Sequence, residues 1–206
     1  MAITTYAELK TAIANWLNRD DLTSSIPDFI YLAEESMALN MRHWRMENRA
    51  TATLDSQYEA LPARFIAPIR LSLTQGNTFE LKQISQSQLL DRRSQAANTS
   101  GRPQYYALTQ GEIEVFPTPD AGYTLEIVYY EKAPTLSDST TTNWILDNYP
   151  SVYLYGSMLH TAPFLKDDAR LQIWASLYQQ GVASINGDEE KAKFGASGLR
   201  MQVRSY

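Results

Sequence analysis

Two histidines, His43 and His160, are the first residues to weigh, because imidazole titrates near neutral pH and is the commonest metal ligand. Neither lies in a ligand pattern such as HExxH. Glu35 precedes His43 by eight residues, two helical turns, so its carboxylate is too far away to hydrogen-bond the ring. His43 is therefore expected to serve as a cation at a helix C-terminus. His160, in the aromatic-rich run YLYGSMLHTA, is expected to be a satisfied core or interface imidazole. Acids are paired at Asp20 with Asp21, Glu34 with Glu35, Asp167 with Asp168, and Glu189 with Glu190. Neighbours on a helix diverge by about 100°, so no such pair supplies the two opposed carboxylates of a glycosidase. Glu34 or Glu35 would be the candidates if the chain cleaved cell wall. Cysteine is absent, which removes thiol nucleophiles, disulfides and thiolate metal sites, and no glycine-rich phosphate loop is present. No catalytic residue, no metal site and no cofactor is expected.

The elements that would position a site are easier to read. At 206 residues, 44% hydrophobic and 20% charged, the chain has an ordinary globular composition with room for one domain carrying an insertion. No apolar run is long enough to span a membrane, and MAITTYAELK lacks the basic and apolar regions of a secretory signal, so no membrane partner is expected. Thr5 with Glu8 marks a capping box, followed by Tyr6, Leu9, Ile13, Trp16 and Leu17 on one stripe. Ser25, Pro27 and Asp28 open a second helix through Phe29, Ile30, Ala33, Met37 and Met41, with Arg42, His43 and Arg45 near its end. From about Arg45 the period changes to two: Ala50, Ala52 and Leu54 alternate with Thr51, Thr53 and Asp55. Two hairpins turn at Gly76 and at Gln110 with Gly111, a short helix lies in SQSQLLDRRSQAA, and YTLEIVYY is read as the third strand of an antiparallel meander.

The Ser/Thr-rich stretch LSDSTTTN is the best candidate boundary, after which helices resume. One begins at Pro150 and stops by Pro163; the last runs from about Asp168 to near Asn186, with Leu171, Trp174, Leu177, Tyr178 and Ile185 as its apolar face. The expected fold is α+β: a helical bundle from the N-terminal (1–44) and C-terminal (138–190) helices, with a β-rich antiparallel insertion between them (45–137). A basic C-terminal arm (191–206) completes the plan. Tyrosine doublets at 105 and 106 and at 129 and 130 should each place one ring in the core and one outside.

Charge is uneven along the chain. The formal net charge is −5, yet residues 138–190 hold seven acids against two cations, and residues 191–206 hold four cations and no acid. An acidic protein is poorly suited to gripping duplex DNA, where each neutralised phosphate needs a cation. The arm interleaves Phe194, Leu199, Met201 and Tyr206 with Lys191, Lys193, Arg200 and Arg204, so it can order on a partner by burying apolar side chains while its cations pair. These eight residues are the candidate interface, with an acidic groove on a neighbouring subunit as the expected partner.

In order along the chain, IPDFIYLAEESM, MRHWRME, LPARFIAPIRL, GRPQYYAL, GEIEVFPTPDAGYTLEIVYYEKAPTLS and NWILDNYPSVYLYGSMLHTAPFLKDD resemble the head-to-tail adaptor proteins of tailed bacteriophages. The likeness is greatest to the podovirus-type adaptor beneath the portal, among the head-completion proteins. The resemblance implies a non-enzymatic virion protein at the head-tail junction, assembled in the host cytoplasm. It implies a ring, usually of twelve subunits, that docks on the portal, receives tail or nozzle proteins and continues a channel through which DNA passes without specific binding. Two other readings remain beside it: a cell-wall lytic enzyme of a phage tail, and a stopper that closes the channel.

Overall fold

The computed structural model describes residues 2–19, 21–165 and 169–194. Their order is α1 (Tyr6–Leu17), α2 (Ile26–Asn40), β1 (Glu47–Leu54), β2 (Tyr58–Ala60), β3 (Phe65–Gln75), β4 (Asn77–Glu80), β5 (Lys82–Gln83), α3 (Gln86–Gln95), β6 (Tyr105–Thr109), β7 (Glu112–Phe116), β8 (Tyr123–Glu131), α4 (Trp144–Asn148), α5 (Pro150–Leu159) and α6 (Arg170–Phe194). The fold is α+β. It divides into a helical unit, Met1–Arg45 with Ala133–Tyr206, and a β unit, Met46–Lys132.

In the helical unit, α1 starts where the spacing predicts. The Thr5 hydroxyl accepts from the Glu8 N–H at 3.3 Å, and the Glu8 carboxylate accepts from the N–H groups of Thr5 at 3.0 Å and Thr4 at 2.8 Å. Three helix-end donors are thereby satisfied. Tyr6, Leu9, Ile13 and Leu17 are buried, but Trp16 stays about half exposed. On α2 the residues Ile26, Phe29, Ile30, Ala33 and Met37 face inward. The helix ends at Asn40, where the Arg42 guanidinium donates to the carbonyls of Ala38 and Met41. At the centre, α5 touches α1, α2, α4 and α6. Two glycines permit the closest approaches. A Cβ on Gly181 of α6 would lie 2.8 Å from Val152 Cγ2, and one on Gly156 of α5 would lie 3.0 Å from the Tyr178 ring.

Two predicted features of α6 are corrected. The helix begins at Arg170 and runs to Phe194, beyond the expected end at Asn186. Its buried stripe is Trp174, Tyr178, Val182, Ile185 and Glu189, spaced by threes and fours, while Leu177 falls outside the stripe and is 36% exposed.

The β unit holds two four-stranded sheets, ordered β1-β8-β3-β4 and β2-β7-β6-β5. The predicted hairpins are present, with Gly76 at φ +79° and Gly111 at φ +78°, a region open to glycine at little cost. The meander is corrected: β8 leaves the β6–β7 hairpin and lies antiparallel between β1 and β3 of the other sheet. Alternation marks a strand but not its partner. Tyr123, Leu125, Ile127 and Tyr129 form the buried face of β8, and the register sets Leu54, Ala52 and Ala50 on one side and Leu73 and Leu71 on the other. The two sheets share one core of Leu54, Leu71, Leu73, Leu81, Tyr106, Ile113, Val115 and the β8 face. At roughly 1.5–3 kcal/mol per fully buried large apolar side chain, this shared core is the main stabilising term of the unit. A smaller cluster of Leu89, Ala107 and Phe116 fastens α3, whose cap pairs Ser85 with Gln88. As expected for the doublets, Tyr106 and Tyr129 are buried, and Tyr105 and Tyr130 less so.

Candidate functional site

Of the eight residues expected to form the interface, Leu199, Arg200, Met201, Arg204 and Tyr206 lie outside the described residues, as do the side chains of Lys191, Lys193 and Phe194. The backbone of the last three continues α6, so the arm begins on a helix and not on a loop.

Glu34, one of the two candidate acids, is 6% exposed and holds the helical unit together. Its Oε1 accepts from the Leu136 N–H at 2.8 Å and from the Tyr153 hydroxyl at 3.2 Å. Tyr153 in turn accepts from Asn143 Nδ2 at 2.6 Å, and Asn143 Nδ2 also donates to the Pro134 carbonyl at 2.8 Å. The Asn143 Oδ1 accepts from the N–H groups of Ile145 and Leu146, capping α4. One buried chain of hydrogen bonds thus pins the returning segment 134–146 to α2 and α5. Burial, reinforced by the Glu34 carboxylate, holds the Tyr153 phenol far above its ordinary pKa and therefore protonated. Glu35, the other candidate acid, is half-buried on the same helix.

His43 is corrected from a helix-end cation to a buried ring, 2% exposed. It stacks on Trp144 at a centroid distance of 5.1 Å and lies against Trp44 and Tyr149. Its Nδ1 accepts from the Arg45 N–H at 3.2 Å. Burial pushes its pKa down and Arg45 adds to this, against an opposing pull from Glu189 and Asp188. The helix-end role falls instead to Arg42. His160 follows the last turn of α5 at partial burial, and burial lowers its pKa as well.

The surface features that sequence reasoning missed are apolar. Leu32 and Leu39 are 44% and 76% exposed, and being seven residues apart they share one face of α2. Ile173 and Leu177, one turn apart on α6, are 58% and 36% exposed. A groove of about 490 Å³ runs beside α6, lined by Asn40, Leu159, Ala175, Tyr178, Val182 and Asn186. The Tyr178 hydroxyl is buried there with no hydrogen-bond partner among the described residues. Large apolar side chains on helix faces away from a core are the signal that could have exposed these patches, had Leu177 not been assigned inward. Among the described residues no cluster of three or more histidines or acids could hold a metal ion. No described helix is long and apolar enough to cross a membrane.

A helical unit fixed by a buried polar chain keeps large apolar side chains exposed on α1, α2 and α6, surface available for contact with other proteins. The comparisons make this specific: residues 4–202 match the SU10 adaptor protein family, and the chain belongs to that family. A search among curated proteins finds no match to the chain. Membership implies a structural, non-enzymatic role as a phage head-tail adaptor and a component of the virion.

Proposed function

We propose that the protein assembles into a ring, of twelve subunits as in the adaptors it resembles, that docks on the portal after DNA packaging. The ring continues the DNA channel and presents a platform to tail or nozzle proteins. The observation that carries this reading is the pair of exposed apolar stripes, Leu32 with Leu39 and Ile173 with Leu177, on different helices. A ring needs a heterologous interface, in which two different patches of each subunit meet, and apolar side chains exposed on two different helices supply a candidate for each. Net acidity supports the channel role, because a wall that does not hold phosphates lets DNA slide past. The arm 191–206, with Lys191, Lys193, Phe194, Leu199, Arg200, Met201, Arg204 and Tyr206, docks on the portal or a neighbouring subunit. Because ordering the arm is part of the contact, the protein alone is monomeric at low concentration and assembles on the portal.

The test is native mass, measured on the protein alone and with the portal protein of the same phage. A portal that gains a ring's worth of 23.3 kDa subunits supports the reading. A portal that gains nothing overturns it, and a stable ring from the protein alone overturns the templating step.

A further inference from the structure

Resting on the ring reading, we propose that the ring is sealed by β-sheet continuity: the β1 edge of one subunit pairs antiparallel with the β4 edge of the next. The two strands are opposite edges of the same four-stranded sheet. Natural sheets protect their edges with short strands, lysines, prolines or bulges. The second sheet follows that rule, since its edge strands β2 and β5 have only three and two residues. By contrast β1 has eight, and its stretch Ala50, Thr51, Ala52, Thr53 carries no charge, proline or bulge.

The free backbone groups can be assigned from parity. The Arg49 N–H donates to Oδ1 of the preceding residue, Asn48, at 2.8 Å, so Arg49 does not use that donor toward β8. Odd-numbered residues of β1 therefore point their backbone groups outward, leaving Thr51 and Thr53 open. On the other edge the Leu81 N–H bonds the Leu71 carbonyl at 2.9 Å, and the register of β3 with β4 makes Leu73 and Phe79 the next bonded pair. Thr78 and Glu80 then point their backbone groups outward. Among the described residues no backbone hydrogen bond reaches any of these four from outside the sheet.

The two edges fit each other. In a sheet of four antiparallel strands the edges run in opposite directions, so copies related by rotation about a ring axis meet antiparallel without a flip. The even strand number also matches faces. Thr53, Thr124, Thr74 and Thr78 form one row across the sheet, on the face opposite Ala52, Leu125, Leu73 and Phe79. Pairing Thr53 with Thr78 and Thr51 with Glu80 continues the polar row and sets Ala52 opposite Phe79 on the apolar face. It also brings Arg49 diagonal to Glu80, an opposite-charge neighbour.

The absence of cysteine makes the test clean. In the double variant T53C/T78C, mild oxidation of portal-bound protein is expected to give a reducible ladder of covalent multimers. The single variant T53C should give none. A second variant, T51P, removes an outward donor without touching the β1–β8 bonds, and edge strands accept proline at such positions; it should keep the wild-type melting temperature and lose at least tenfold in assembled fraction. A T53C dimer would show that two β1 edges pair with each other and would overturn the proposal. Rings without a ladder, unaffected by T51P, would overturn edge pairing and leave the ring reading intact. No ring from the wild type overturns both.

Discussion

Asn143 makes four hydrogen bonds from one side chain: two cap α4, and two hold the Pro134 carbonyl and the Tyr153 hydroxyl. Replacing it with alanine removes the cap and leaves buried groups without partners, so N143A is expected to cost about 2–4 kcal/mol in urea unfolding. Y153F keeps the ring and loses only the link between Asn143 and Glu34; about 1–2 kcal/mol is expected from the same measurement. His43 makes stability depend on pH. Its pKa is depressed in the folded chain, so the unfolded chain takes up the proton first, near pH 6.5. Stability should therefore be constant in this respect above that pH and fall as the pH drops below it. The slope from one such group is at most about 1.4 kcal/mol per pH unit. Unfolding curves between pH 5 and 8 should show a shallower acid slope in H43F, which retains an aromatic ring in the stack with Trp144. An unchanged slope would remove His43 from the account.

Helices were legible wherever a cap and a periodic stripe coincided. Thr5 with Glu8, Pro27 and Pro150 all sit at helix starts as their chemistry requires. Hairpins were legible at Gly76 and Gly111 for a similar reason, since only local backbone conformation is at stake. What escaped was pairing at a distance. Nothing near β8 says that it joins β1 and β3, because any strand with the same alternating face could fill that place. His43 was misread because its neighbours in space, Trp144 and Tyr149, are about a hundred residues away in sequence. Glycine in α6 offers a test at this scale. G187A meets nothing within 4 Å and should stabilise the helix by up to about 1 kcal/mol, while G181A must push against the stiff, buried Val152 and should destabilise by about 1–2 kcal/mol. Thermal melts followed by circular dichroism would separate the two signs.

For the whole molecule, the contrast between the seven acids of 138–190 and the cationic arm sets how assembly responds to salt. If the arm docks by pairing its four cations, raising the salt from about 0.05 to 0.5 M should weaken portal binding at least tenfold, as the screening length shrinks several-fold. Deleting 191–206 should abolish both the binding and its salt dependence; a truncated protein that still binds would assign docking to the helix faces. The division of the chain into two units has a consequence for how it is made. The helical unit closes only when α5 and α6 reach helices built from the first 45 residues, whereas the β unit lies in one uninterrupted stretch. On the ribosome, which adds roughly 5–20 residues per second, α1 and α2 must wait several seconds with their apolar faces unpartnered while the insertion emerges and folds. The nascent chain is thus most vulnerable to aggregation at its beginning, and its need for chaperones should end abruptly once α6 is complete.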